Sequence, residues 1–290
     1  MKATLDCLAC IADQALRAAR IATDDPEIQR RIINETVMRI PGMDLNESPA
    51  VLSQFVYEFA KEASAVKDPY ADLKRAQNEQ ALALEPELRT YLAEADDPLE
   101  MALHLSAAGN VIDMGVQSAG DIDVQTAIRD ALQERFAVDH TPQFRASLAS
   151  CRDLLFLLDN AGEIVFDKLL IEQLCQFTSV TAVVKKGPII NDVTLDDAEQ
   201  VGLTAVCPII DNSGAFVGSP LSLISPEFRQ RLETADMIVG KGQGNYETID
   251  DFPGNVFLIL KAKCDAIARH MGVRKGQVAL ISTRFRASSS

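Results

Sequence analysis

The sequence predicts an α/β protein: a parallel, doubly wound, Rossmann-like three-layer sheet domain preceded by an all-helical region. Two observations predict it. After about residue 150, short apolar runs rich in branched residues alternate with helical stretches, whereas before residue 145 helix patterns follow one another with no alternating strand pattern. The chain has 290 residues, 47% of them hydrophobic, which is enough for a sizeable core. We therefore divide it into a helical region, 1–148, and an α/β domain, 149–286.

In the helical region, Leu5, Leu8, Ala12, Leu16 and Ala19 recur at helical spacing over residues 5–20. Ser48-Pro49 starts another helix, with serine as N-cap and proline at the first helical position. Its apolar face is Val51, Leu52, Phe55, Val56 and Phe59. Asp97-Pro98 opens a third, Leu99 to Ala108. Beyond residue 150, strands are expected at Leu154–Leu158, Val180–Val184, Leu203–Val206, Met237–Val239, Val256–Leu260 and Val278–Ile281. Helices are expected between them at Ile164–Phe177, Leu195–Val201, Leu221–Thr234 and Ala262–His270. Such alternation implies right-handed crossovers, a parallel sheet covered on both faces, and ligands beyond the carboxyl ends of the strands. The terminal Ala287-Ser288-Ser289-Ser290 is expected to fray.

The strand ends carry the chemistry. The first expected strand ends in Asp159-Asn160-Ala161-Gly162-Glu163 and runs straight into a helix, and the second leads to Asn191-Asp192-Val193-Thr194. Two carboxylates and an amide oxygen in neighbouring loops suit a hard cation such as Mg²⁺ or Mn²⁺ better than zinc. The alternative role of Asp159, Asn160 and Asp192 is to cap the helices that follow. The fourth strand leads into Gly240-Lys241-Gly242-Gln243-Gly244-Asn245, where glycines let backbone N–H groups close on a phosphate or simply form a turn. The fifth delivers Lys261 after a run of mostly aliphatic residues, into the cleft or snorkelling at the strand end. Asp211-Asn212-Ser213-Gly214 echoes the first motif, but its helix starts later, at Ser219-Pro220, so these are turn or substrate-side residues.

The formal net charge of −14 argues against a nucleic-acid binder. No apolar run approaches a membrane span, and the first residues lack a signal-peptide pattern, so a cytoplasmic protein is expected. A nicotinamide or methyl-donor site wants a glycine-rich first loop and an acid after the second strand. Here Asp159-Asn160 and Lys185-Lys186 stand there instead. Cys7 and Cys10 form the one short cysteine pair; with Cys264 as a third they make soft ligands for a non-catalytic metal or redox module, or they are small packed residues. His104, His140 and His270 are scattered and expected to be structural. Asn110 and Asp113 share a helical face if they share a helix.

Asp159 to Glu163, Asn191 to Val193, Lys241 to Glu247 and Leu260-Lys261-Ala262-Lys263-Cys264 together resemble the damage-control phosphatases, a family long catalogued as domain of unknown function 89. Cys7/Cys10 and Gly109-Asn110-Val111-Ile112-Asp113 resemble its prokaryotic and archaeal branch. The resemblance implies a metal-dependent phosphatase acting on small phosphorylated metabolites such as sugar phosphates or damaged side products. It implies Asp159, Asn160 and Asp192 as ligands of Mn²⁺, Mg²⁺, Co²⁺ or Ni²⁺ and Lys261 at the phosphate, with Asp159, Asp192 and Lys261 the catalytic set. Glu163, Lys241, Gly242, Asn245 and Asn110 would contact substrate. One branch carries an arginine–threonine–x–lysine motif, but here Ile259-Leu260 stand before Ala262, which leaves that branch's sugar-phosphate preference unsupported. Protein carboxyl methylation, credited to some relatives, is the alternative activity.

Overall fold

A computed structural model describes residues 1–109 and 124–285, so Asn110, Asp113 and the terminal Ala287–Ser290 lie outside the described residues. The helical region contains α1 (Leu5–Ala22), α2 (Pro26–Arg39), α3 (Pro49–Ser64), α4 (Ala71–Glu94), α5 (Pro98–Ala108), α6 (Val124–Gln133) and α7 (Thr141–Leu148). Both expected start signals form: Ser48 accepts from the Val51 N–H and Asp97 from the Glu100 N–H. The stripe expected on α1 is displaced. Leu5 is exposed, and the buried face is Cys7, Ile11, Ala15, Ala18, Ala19 and Ala22. Small residues let α1 approach Ile32 of α2 and Val56 of α3 closely, leaving the leucines at the flanks.

The α/β part runs β1 (Asp153–Leu157), α8 (Glu163–Leu174), β2 (Ser179–Val184), α9 (Leu195–Gln200), β3 (Ile209–Asp211), α10 (Pro226–Thr234), β4 (Met237–Lys241), α11 (Gly242–Ile249), β5 (Val256–Lys261), α12 (Asp265–Met271) and β6 (Val278–Ser282). The strand order is β3-β2-β1-β4-β5-β6, parallel from β3 to β5. Two expectations are corrected. Leu203–Ala205 is a 3-10 turn, and the third strand is Ile209–Asp211; a short apolar run has no period to separate strand from turn. The last strand is antiparallel, with Val278 opposite Lys261. Helix α12 has only seven residues, about 10 Å of rise, too little to return the chain to the far end of β5. A left-handed Gly276 then turns it straight back, its N–H donating to the Ala262 carbonyl.

Alternation along β1 divides two cores. Leu154 and Phe156 pack with Val239, Phe257 and the helices α4, α5 and α8, while Leu155 and Leu157 pack with Ile238, Leu258 and α10, α11 and α12. Ala81, Leu88 and Leu103 of the helical region belong to the first of these cores. The change at residue 148 is therefore one of secondary structure, while α4 and α5 form a covering layer of the sheet.

Candidate active site

Strand β1 is where the sheet reverses direction, with β2 on one side and β4 on the other, and the crevice beyond such a point is where open α/β sheets bind ligands. Asp159 and Asn160 follow β1. Their backbone is stitched to the β2 loop: the Val193 N–H donates to the Asp159 carbonyl and the Ala161 N–H to the Asn191 carbonyl, both at 2.8 Å. Asn160 and Asp192 thus face each other as an isolated antiparallel bridge. Both carboxylates are buried, Asp159 at 7% and Asp192 at 4% exposure.

The Asn160 amide nitrogen donates to Asp159 Oδ2 at 2.9 Å and to Glu163 Oε1 at 3.1 Å, so its Oδ1 turns away from those two carboxylates. Asp192 Oδ2 and Glu163 Oε2 are buried without a hydrogen-bond donor. Lys185 Nζ stands 3.4 Å from Asp192 Oδ2, close enough for attraction, but donates to the Gly218 carbonyl. Burial, then the charges of Asp192 and Glu163, push Asp159 well above the ordinary carboxylate range. Burial also raises Asp192, against the pull of Lys185. Acids crowded this way, with oxygens lacking donors, fit a hard dication. A cation approaches oxygen at about 2.1 Å, so it needs less room than water. Among the described residues no group of three or more His, Cys, Asp or Glu side chains is placed to hold a metal; the candidate set is two carboxylates and one amide oxygen.

The expected glycine loop is an elbow. Lys241 ends β4 and Gly242 begins α11 with φ +76°, and a Cβ on Gly242 would overlap the Asp159 carboxylate. Glycine is required there both for the backbone conformation and for that approach. Lys241 lies beneath the site rather than at its surface. It is wholly buried, donating to Asp167 Oδ1 at 2.6 Å and to the Ser106 carbonyl, with Glu163 Oε2 at 3.7 Å. Burial opposes its charge, but Asp167 and Glu163 hold its pKa above the ordinary lysine value. Asn245 is also committed inward, donating to the Leu158 and Lys241 carbonyls and accepting from Ser219 Oγ.

Residues 3–278 match the family described as the damage-control phosphatase ARMT1-like domain. The chain belongs to that family. A damage-control phosphatase of Pyrococcus horikoshii is 31% identical over 99% of this chain and 100% of its own length. Another damage-control phosphatase, of Archaeoglobus fulgidus, is 32% identical over 96% and 98%. The crystal structure of a domain-of-unknown-function-89 protein from Pyrococcus horikoshii superposes with a TM-score of 0.89 at 30% identity, covering 98% of this chain and 99% of that one.

Within this damage-control phosphatase fold, Lys261 is half-buried in the β5–β6 ladder. The lysines whose charges bear most on Asp159 are Lys263 and Lys185, and Lys263 bears on Asp192 as well. Sequence reasoning named the strand's last residue, Lys261, as the candidate, and noted Lys263 only as lying beyond it. Missed were Lys74, Gln77 and Asn78 of α4. Asn78 Oδ1 accepts from the Gly162 N–H at 2.7 Å, Gln77 Oε1 accepts from the Asn191 amide, and Lys74 pairs with Asp197 at 3.0 Å. Polar residues at helical spacing read as a solvated face, yet these are buried against the two strand-end loops.

Cys7, Cys10 and Cys264 line one cleft between α1, α3 and the strand ends. Cys7 Sγ accepts from the Thr4 N–H at 3.4 Å, so it caps its own helix. The histidines have structural partners: His104 stacks on Phe136, His140 Nδ1 accepts from the Ser282 N–H, and His270 Nδ1 hydrogen-bonds Tyr246 Oη. No helix among the described residues is long and apolar enough to cross a membrane.

Proposed function

We propose that this chain is a divalent-metal-dependent phosphatase that hydrolyses phosphomonoesters of small metabolites. The apposition of Asp159, Asn160 and Asp192 at the reversal point of the sheet carries the reading, with Asp192 Oδ2 and Glu163 Oε2 buried without a protein hydrogen-bond donor. Kinship supports it, since relatives over nearly the whole chain bear phosphatase names.

Asp159, Asp192 and the Asn160 Oδ1 would hold Mn²⁺, Mg²⁺, Co²⁺ or Ni²⁺. When bound, such an ion supplies Lewis-acid charge to the phosphoryl oxygens. Glu163 accepts from the Asn160 amide nitrogen and so holds the orientation of that side chain. Lys185 is tied to Gly218 and Asp192, and Lys263, whose charge bears on both Asp159 and Asp192, would add positive charge for the phosphate. The opening N–H groups of α11, at Gln243 and Gly244, add donors for an anion. Asp159 is engaged as a ligand and by Asn160, so water is the attacking group. Its oxygen bonds to phosphorus as the bond to the leaving oxygen breaks, and a proton passes to the departing alkoxide.

The test is hydrolysis of a simple aryl phosphate after chelation and with each of the four metals restored in turn, beside Asp159→Ala and Asp192→Ala. Activity should require metal and fall on the order of 10³-fold or more in either variant. Undiminished turnover after chelation or in either variant overturns the reading. Consumption of a labelled methyl donor without ester hydrolysis would establish the methyltransferase alternative.

A further inference from the structure

Helix α4 changes character along one face. Its buried residues are Lys74, Gln77, Asn78, Ala81, Leu88 and Leu92, a stripe at helical spacing. The apolar half packs into the core beneath the sheet. The polar half lies where the stripe meets the loops after β1 and β2, and there Gln77 and Asn78 are wholly buried. Burying polar groups is costly unless they are paired, and a buried ion pair such as Lys74 with Asp197 is weak evidence for stability. Geometry is the role such a face fits.

Asn78 commits both ends of its amide to the two loops. Its Oδ1 accepts from the Gly162 N–H at 2.7 Å, at the N-cap of the helix that follows Asp159 and Asn160. Its Nδ2 donates to Asp197 Oδ1 at 3.2 Å and to Gln200 Oε1 at 2.8 Å, both in α9, the helix that follows Asp192. Asp197 in turn accepts from the Thr194 N–H and hydroxyl and pairs with Lys74. Gln77 Oε1 accepts from the amide of Asn191, the neighbour of Asp192. The loops also meet directly, through the Val193 N–H on the Asp159 carbonyl and the Ala161 N–H on the Asn191 carbonyl. Two bonds in one bridge leave the loops free to rock about it, and the contacts from α4 on both flanks remove that freedom. A buried network with its partners in place is rigid.

We propose that Asn78 is a positioning residue that fixes the spacing of Asp159 and Asp192, so that α4 sets the ion-size selectivity of the centre. This rests on the metal-dependent reading and sharpens it: the centre favours a small, strictly coordinated ion over a larger one. Mg²⁺ bonds oxygen at about 2.0–2.1 Å in near-ideal octahedral geometry, whereas Ca²⁺ accepts about 2.3–2.6 Å and a flexible shell. Loosening the clamp therefore weakens the small ion and spares the large one.

The experiment measures metal affinity itself in wild type, Asn78→Ala and Leu88→Ala. Free Mn²⁺ is followed by electron paramagnetic resonance, and Mg²⁺ and Ca²⁺ are read by competition. Wild type should bind Mg²⁺ more tightly than Ca²⁺. Asn78→Ala should weaken Mg²⁺ by about 10-fold or more and Ca²⁺ by at most about 2-fold. Leu88→Ala, on the same stripe but in the core, should lower the unfolding midpoint and leave the Mg²⁺ to Ca²⁺ ratio within about 2-fold of wild type. Equal weakening of both ions in Asn78→Ala, or no change in either, overturns the proposal. So does the same ratio shift in Leu88→Ala, or a wild type without preference for Mg²⁺. If Asn78→Ala does not fold, Gln200→Ala loosens the same clamp from an exposed position, and an unchanged ratio there overturns it. Failure of wild type to bind any of the three ions removes the metal-dependent reading itself. Binding with a ratio indifferent to Asn78 removes only this inference.

Discussion

Two segments of this chain share nearly the same letters, Asp159-Asn160-Ala161-Gly162 and Asp211-Asn212-Ser213-Gly214. After β3 the polar groups close on the segment itself. Asp211 is exposed and accepts from the Ser213 N–H, and Asn212 is buried with its oxygen on the Gly214 N–H and its nitrogen on the Gly218 carbonyl. After β1 they close only in part, through the Asn160 amide on Asp159 and Glu163. A helix starts at once, the neighbouring loop occupies the backbone, and side-chain oxygens of Glu163 and the facing Asp192 remain without donors. The two contexts differ in satisfaction: the second segment closes on itself, while the first stands among neighbouring carboxylate oxygens without donors.

The largest expected contrast is between Asp159→Ala and Asp211→Ala. The first should lower kcat on an aryl phosphate by about 10³-fold or more, and the second should leave it within about 2-fold, as an exposed turn acid does. Equal effects would collapse the distinction. Gly242→Ala comes next: its methyl would overlap the Asp159 carboxylate from a left-handed backbone, so turnover should drop by on the order of 10²-fold. Among the lysines, Lys263→Ala should cost about 10-fold or more in kcat/KM and Lys261→Ala less, the reverse of the order suggested by strand position.

Asn212→Ala should affect stability rather than rate. Losing two buried hydrogen bonds costs about 1–2 kcal/mol, visible in denaturant unfolding with kcat intact, whereas Asn160→Ala should lose activity. The last expected effect is a pH dependence of stability. Burial pushes Glu247 up from 4.5 to about 7, against Gln243 and the amino terminus. The folded state therefore holds its proton longer than the unfolded one, and stability declines as pH rises from about 4.5 through 7. Glu247→Gln should remove that decline. The variant's unfolding midpoint, compared with wild type, should gain between pH 5 and pH 8, by at most about 3 kcal/mol. A constant difference across that range would show that Glu247 does not carry the slope.

Much of the fold was legible in the residues. Strand–helix alternation located five of six strands to within a residue or two, because buried runs bounded by polar turns are local signals. The misplaced β3 and the reversed β6 depended on length and on turns at Gly202 and Gly276, which apolar patterning does not record. The site was half legible. Asp159, Asn160 and Asp192, expected together from chemistry and position, are brought together, whereas Lys241 and Asn245 are buried among protein partners, and Gln77 and Asn78 were not singled out. Nothing in the letters separates a lysine that meets solvent from one that meets Asp167.

By itself, then, the sequence determined which residue types stand at the strand ends and that those ends belong to a parallel sheet. Only the tertiary structure decided which of them meet. The order β3-β2-β1-β4-β5-β6 sets the end of β1 between those of β2 and β4. That brings Asp159 to Asp192 and Gly242, residues 33 and 83 positions away in the chain. α4 locks the arrangement from below through Asn78 and Gln77. Such contacts are long-range pairings whose energy comes from the packed core, so no local pattern carries them.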